Sequence, residues 1–172
     1  MDRVLALTSA LFVLLVLVAA VSYITRMPAE LPAPKQKIET APPVALPTRP
    51  IVTIRGKEFA VDLADTMARQ ARGLSGREEL SENEGMYFIF NSTGTRGFWM
   101  RDMKFAIDIL WIRDNRVVGV TENMLPEPDK NIFTYTKYYP PEPVDRVLEV
   151  LAGTVAREGF KAGDEVKFIP AP

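Results

Sequence analysis

The sequence predicts a mainly β domain (β-rich α+β), a small barrel or sandwich with two or three short helices, preceded by an N-terminal transmembrane helix. Three observations carry this prediction. From Ile51 to Ile169 the chain is a series of short runs of β-branched and aromatic residues, punctuated by Gly, Asn and Asp. No long apolar stripe at helical spacing interrupts them. Before them stand an uncharged apolar run, Val4 to Ile24, and a proline-rich stretch.

The apolar run has the length of a helix that crosses a bilayer, roughly 30 Å. Arg3 and Arg26 flank it, so residues 1–26 are expected to be an uncleaved anchor that holds the rest outside the cytoplasm. The alternative is a signal segment cleaved after the small residues Ala20 and Ser22, which would release a secreted product. Residues 27–50 carry seven prolines and are expected to form an extended linker. The folded domain is then 51–172.

Within it, Ile51 to Ala64 reads as a hairpin turning at Arg55-Gly56. Asp65 is the expected N-cap of a helix over 66–72 that stops at Gly73. Ser75 to Glu78 has capping-box spacing and predicts one further helical turn. Gly85 to Phe90 is a strand, Asn91 to Gly94 a loop and Gly97 to Met100 a strand. Phe105 to Ile112 is the next strand, with Arg113 to Asn115 a tight turn into Arg116 to Met124. A long Pro/Tyr loop over 125–144 follows, then a strand over 146–151. Thr154 to Glu158 forms a short helix ended by Gly159, and Gly163 to Ile169 a last strand.

Several of these segments, in this order, resemble one family. They are "ARGLSGREEL" (71–80), "EGMYFIF" (84–90), "GFWMRDMKFAIDILWI" (97–112), "RVVGVTEN" (116–123) and "VLEVLAGTVAREGFKAGDEV" (147–166). The chain resembles the uncharacterised prokaryotic family of domains of unknown function numbered 192 (DUF192). The resemblance implies a compact β-rich fold and a frequent extracytoplasmic setting. It implies no activity, cofactor or catalytic residue. Met103 stands where the family pattern more often has a polar residue.

Composition narrows the chemistry. The 172 residues include no histidine and no cysteine. Zinc sites of Cys/His type, thiol nucleophiles, Ser-His-Asp triads and disulfides are therefore excluded. The net charge of −1 does not suggest a nucleic-acid partner. No cofactor is expected.

Asp108 is the anomaly. In Phe105 to Ile112 both alternating faces are apolar, so the carboxylate does not simply meet bulk water. It requires Arg, backbone N–H donors or a cation. Arg72, Arg96 and Arg101 are the local candidates. Glu122 poses the same question in the next strand. A two-residue turn at Asp114-Asn115 pairs Asp108 with Thr121 and turns Glu122 to the other face. A three-residue turn pairs Asp108 with Val120 and makes the acids diagonal neighbours.

Three functional expectations follow. The first is a non-enzymatic binding or accessory module with an unknown ligand or protein partner. Its surface would use Arg72, Trp99, Arg101, Asp108, Tyr138 and Tyr139. The second is a carboxylate-dependent hydrolase acting on glycans through Asp108 and Glu122. The third is Cu(I) binding by Met100 and Met103. Beside these stands a structural role for Asp108 in fixing strand register, and core packing for the methionines.

Overall fold

The computed structural model describes residues 48–127, 131 and 133–172. The expected membrane segment 1–26 and the linker up to residue 47 lie outside the described residues. Among the described residues, no helix is long and apolar enough to cross a membrane.

Seven strands form one sheet: β1 (Ile51–Ile54), β2 (Lys57–Ala64), β3 (Glu84–Gly94), β4 (Ile107–Arg113), β5 (Arg116–Met124), β6 (Val144–Leu151) and β7 (Val166–Ile169). Their order is β5-β4-β6-β3-β2-β1-β7. Every pairing is antiparallel except β2 with β3, where α1 (Met67–Arg72) lies in the connection. A second helix, α2 (Thr154–Glu158), lies between β6 and β7.

The sheet curls into a half-barrel. Its two outer strands meet at one end, where Val117 N–H donates to Asp164 O and Val166 N–H to Asn115 O, each at 2.9 Å. One apolar cluster draws on all seven strands, including Val52, Phe59, Tyr87, Leu110, Val117, Leu148 and Val166. Convergence of every strand on one cluster marks the concave face. The other face buries Phe88, Ile109, Trp111 and Val147 under Leu74, Leu80, Phe98 and Met100. Strands β3, β4 and β6 are covered on both faces, which explains their near-continuous apolar runs.

Local chemistry sets the turns. Arg55 and Gly56 take φ of 51° and 83°, and Asp114 and Asn115 take 50° and 59°. Two successive left-handed residues are the twist-matched link between antiparallel strands. Gly85 is required for a different reason. A Cβ there would lie 2.6 Å from the Glu149 carbonyl oxygen, so β3 and β6 approach each other too closely for a side chain.

Four expectations are corrected. Thr66, not Asp65, caps α1: its Oγ1 accepts from Arg69 N–H, while Asp65 pairs with Arg69 Nη1 at 3.0 Å. Ser75 to Glu78 forms turns and a bend rather than helix. Here Ser75 donates to Arg101 O at 2.7 Å instead of capping its own segment. Residues 91–94, expected as a loop, continue β3 with a register shift against β6. Gly97 to Met100 is no strand but a single bridge, Phe98 to Tyr138.

Candidate functional site

Two buried acids occupy the centre of the sheet, on opposite faces. Asp108 lies in β4 between Ile107 and Ile109, which belong to the outer cluster, so it points to the concave face. Glu149 lies in β6 between Leu148 and Val150, which belong to the concave cluster, so it points outward. Their environments are different.

Asp108 is fully buried and fully satisfied. Oδ1 accepts from Asn123 N–H and Oδ2 from Val155 N–H, both at 2.9 Å. The second bond solves a problem at α2. Its N-cap residue is Gly153, which has no side chain to satisfy the helix's free N–H groups. Asp108 caps the helix from a neighbouring strand. The first bond solves a problem in β5. Ile109 pairs with Thr121 and Ile107 with Met124, so Glu122 and Asn123 together oppose Asp108. That is a β-bulge, and Asn123 takes a left-handed φ of 54° within it.

Of the two registers considered for β4 on β5, the one that makes Asp108 and Glu122 diagonal neighbours does not form. The two-residue turn is present, since Arg113 pairs with Arg116. A first bulge then intervenes, because Trp111 pairs with Gly119 and Ile112 with Val117, leaving Val118 extra. Turn length therefore fixes register only up to Val117. Asp108 faces neither Thr121 nor Val120, and Glu122 is exposed while Asp108 is sealed. None of Arg72, Arg96 and Arg101 contacts Asp108; two backbone donors serve it instead.

Glu149 lines a cavity of about 400 Å³ on the outer face. Residues 70–75, at the end of α1 and beyond, form one wall, and residues 95–99 with Met103 form the other. Phe88 and Phe90 line it from β3. Phe88 meets Phe98 edge-on at 4.9 Å, so the apolar lining is aromatic. Arg72 and Arg96 bring positive charge. The Arg96 guanidinium lies 4.6 Å from the Phe90 ring centroid and donates to Ser92 O at 2.8 Å, while its Nε has no partner.

Glu149 itself is 5% exposed, and its Oε2 has no hydrogen-bond partner. A Cβ on Gly73 would stand 3.9 Å from that oxygen, so the glycine leaves the acid open on the α1 side. Burial pushes its pKa up to about 8, against a smaller opposing effect of Arg77. Arg77 is engaged by Asp62, which Arg49 also holds at 3.1 Å. At neutral pH Glu149 is therefore mostly a neutral acid, able to donate one hydrogen bond and accept others.

Five of the six residues expected to bind are dispersed around this cavity, and Asp108 is not. Arg72 and Trp99 line it. Arg101 stands 5.3 Å from the Trp99 ring centroid and lines an adjoining depression with Arg72 and Ser75. Tyr138 pairs its backbone with Phe98, donating and accepting at 2.8 and 2.9 Å. Tyr139 presses on Gly97, where a Cβ would come within 2.9 Å of its ring. Both tyrosines thus buttress the wall from behind. Asp108 belongs to the opposite face. Met100 is fully buried in the outer cluster, and Met103 partly packs against it. The turn between them forms, with Met103 N–H donating to Met100 O at 3.4 Å. Among the described residues, no group of three or more carboxylates is placed to hold a metal ion.

The sequence reading missed Glu149. Its signal was the same as that of Asp108: an acid within an apolar run, "VLEVL" beside "AIDIL". Arg96 was considered only as a partner for Asp108.

No curated protein matches the chain. Two solved structures share its fold. A protein of unknown function from Novosphingobium aromaticivorans DSM 12444 is 36% identical, with a TM-score of 0.62, over 68% of this chain and 83% of that one. A protein titled "putative transcription regulator" from Sinorhizobium meliloti 1021 is 29% identical, with a TM-score of 0.63, over 69% of this chain and 92% of that one. The family DUF192, described as "Uncharacterized ACR", matches residues 50–168, which is the whole of the sheet but for its last residue. The chain belongs to the DUF192 family.

Proposed function

We propose that this domain is a non-enzymatic ligand-binding module and that the cavity lined by Glu149 is its binding site. Residues 1–26 would anchor it to a membrane, with the domain outside the cytoplasm and residues 27–50 as spacer. One observation carries the binding reading: a buried acid in a cavity wall has an oxygen without a partner. Such a group costs stability, commonly 1–3 kcal/mol. A fold able to bury Leu or Met at this position gains nothing structural from it. A ligand that completes the missing bond gives it a use.

A second reading is favoured by the same acid. With a pKa of about 8, Glu149 could serve as a general acid near neutral pH. Glycan hydrolysis of the usual kind, however, needs two carboxyl groups roughly 5–10 Å apart. Glu149 is the only carboxylate among the residues lining this cavity. Binding is therefore preferred to catalysis.

A fragment screen on the full chain tests the binding reading. Binders are expected to raise the melting temperature and to perturb the Trp99 indole and Met103 methyl resonances. A broad screen that moves neither resonance would sink it. The tether has its own test. The full chain is expected to fractionate with membranes at native length. A purely soluble product starting near Tyr23 would instead show cleavage and secretion.

A further inference from the structure

We propose that the ligand of the Glu149 cavity is a small organic anion, a carboxylate carried on a flat apolar body. The inference rests on the binding reading above and specifies its ligand class.

The arginines give the first argument. Apart from Arg72, Arg96 and Arg116, every described arginine stands within ion-pair distance of a carboxylate. Arg116 donates to Gly163 O and does not line the cavity. The two remaining guanidiniums, Arg72 and Arg96, both line it. Arginine's planar fork is suited to carboxylate, and stacking on Phe90 orients the Arg96 fork without using all its donors. Two unneutralised guanidiniums in facing walls of one cavity are explained by an anion that arrives from solution.

The second argument is the absence of a countercharge. Glu149 is the only acid in the lining, and burial keeps it mostly protonated at neutral pH. The lining then carries two positive charges. The surroundings add to them, since Lys137 lies against the Trp99 ring at 5.9 Å. A cationic ligand would meet like charge at the arginines and would have to ionise a buried acid. An anion meets neither cost. The neutral Glu149 carboxyl can also donate a hydrogen bond to an acceptor atom of the ligand, which a carboxylate could not do.

Size and walls give the rest. A volume of about 400 Å³ is at the small end of ligand pockets. Phe88, Phe90 and Phe98 offer ring faces and edges that suit a flat apolar body.

Three probes that share one ring system separate the possibilities: 2-naphthoate, 2-naphthamide and 2-naphthylmethylamine. Each is titrated calorimetrically into the full chain near pH 7. The naphthoate is expected to bind at least tenfold tighter than the amide, and the amine weakest. The double substitution Arg72→Gln, Arg96→Gln is expected to abolish the naphthoate preference over the amide, and a melting temperature equal to that of the unmodified chain reports an intact fold. Equal or tighter binding of the amide or amine, with the Trp99 and Met103 resonances still perturbed, would overturn the anion assignment and leave the binding reading standing. A preference for naphthoate that survives the double substitution would also overturn it. Failure of all three probes to bind would overturn the assignment too. The binding reading would then fall only if the fragment screen also moved neither resonance.

Discussion

Replacing Glu149 with glutamine is expected to stabilise the protein at alkaline pH by on the order of 4 kcal/mol and to leave it nearly unchanged in mild acid. The sign follows from the raised pKa, about 8 in the fold against 4.5 for the free group. Below about pH 4.5 folded and unfolded chains both hold the proton, and burial of the acid costs nothing in charge. Between there and about pH 8 the unfolded chain has given up a proton that the folded chain retains. Unfolding then releases a proton, so stability falls as pH rises. Above about pH 8 the loss is complete. Glutamine has the same shape and no proton to lose, so its profile lacks this slope. Denaturant midpoints for both proteins between about pH 5 and 9 check the prediction. Parallel profiles would show that Glu149 is not held neutral. A stabilising substitution in a cavity wall is what a group retained for binding, at a cost in stability, should give.

Asp108→Ala should have a large effect in the opposite direction, a loss of about 3–5 kcal/mol. It would strip the acceptor from two N–H groups, a part-buried one in the β5 bulge and a buried one at the start of α2. It would also leave a space in a closed region. Asp108→Asn should lose about half as much. Its amide oxygen can replace one acceptor, while its NH₂ group faces the other N–H donor. Urea denaturation of the three proteins at neutral pH measures this. A loss under about 1 kcal/mol for the alanine variant would mean that water replaces the carboxylate, and the sealed cap would be wrong.

The two predictions differ in sign although both concern an acid inside an apolar strand. That difference shows where the sequence was readable. The pattern "AIDIL" announced that Asp108 needed partners, and "VLEVL" carried the same warning for Glu149. Neither pattern says which partners exist. Those of Asp108 are backbone groups from residues 15 and 47 positions away. Main-chain donors have no sequence signature, so backbone donors are expected as a class while the particular N–H groups are not legible. The register of Asp108 against Glu122 was not legible for a related reason. The turn at Asp114-Asn115 was legible from its residues, but Val118 and the Glu122-Asn123 pair form bulges that no local composition marks.

By itself, the sequence determined the mainly β character, the hairpin at Arg55-Gly56, the extent of β5 and α2, and the family. Each of these follows from short-range rules: alternation, left-handed turn residues, a glycine stop, or an ordered set of segments. Only the tertiary structure decided the strand order, the bulged register of β4 on β5, and the faces to which the two acids point. It alone assembled α1, β3, β6 and residues 95–99 around Glu149. Burial and partnership are properties of distant segments brought together. One carboxylate is therefore a sealed cap and the other a neutral acid in a positive cavity, although their flanking residues are almost alike.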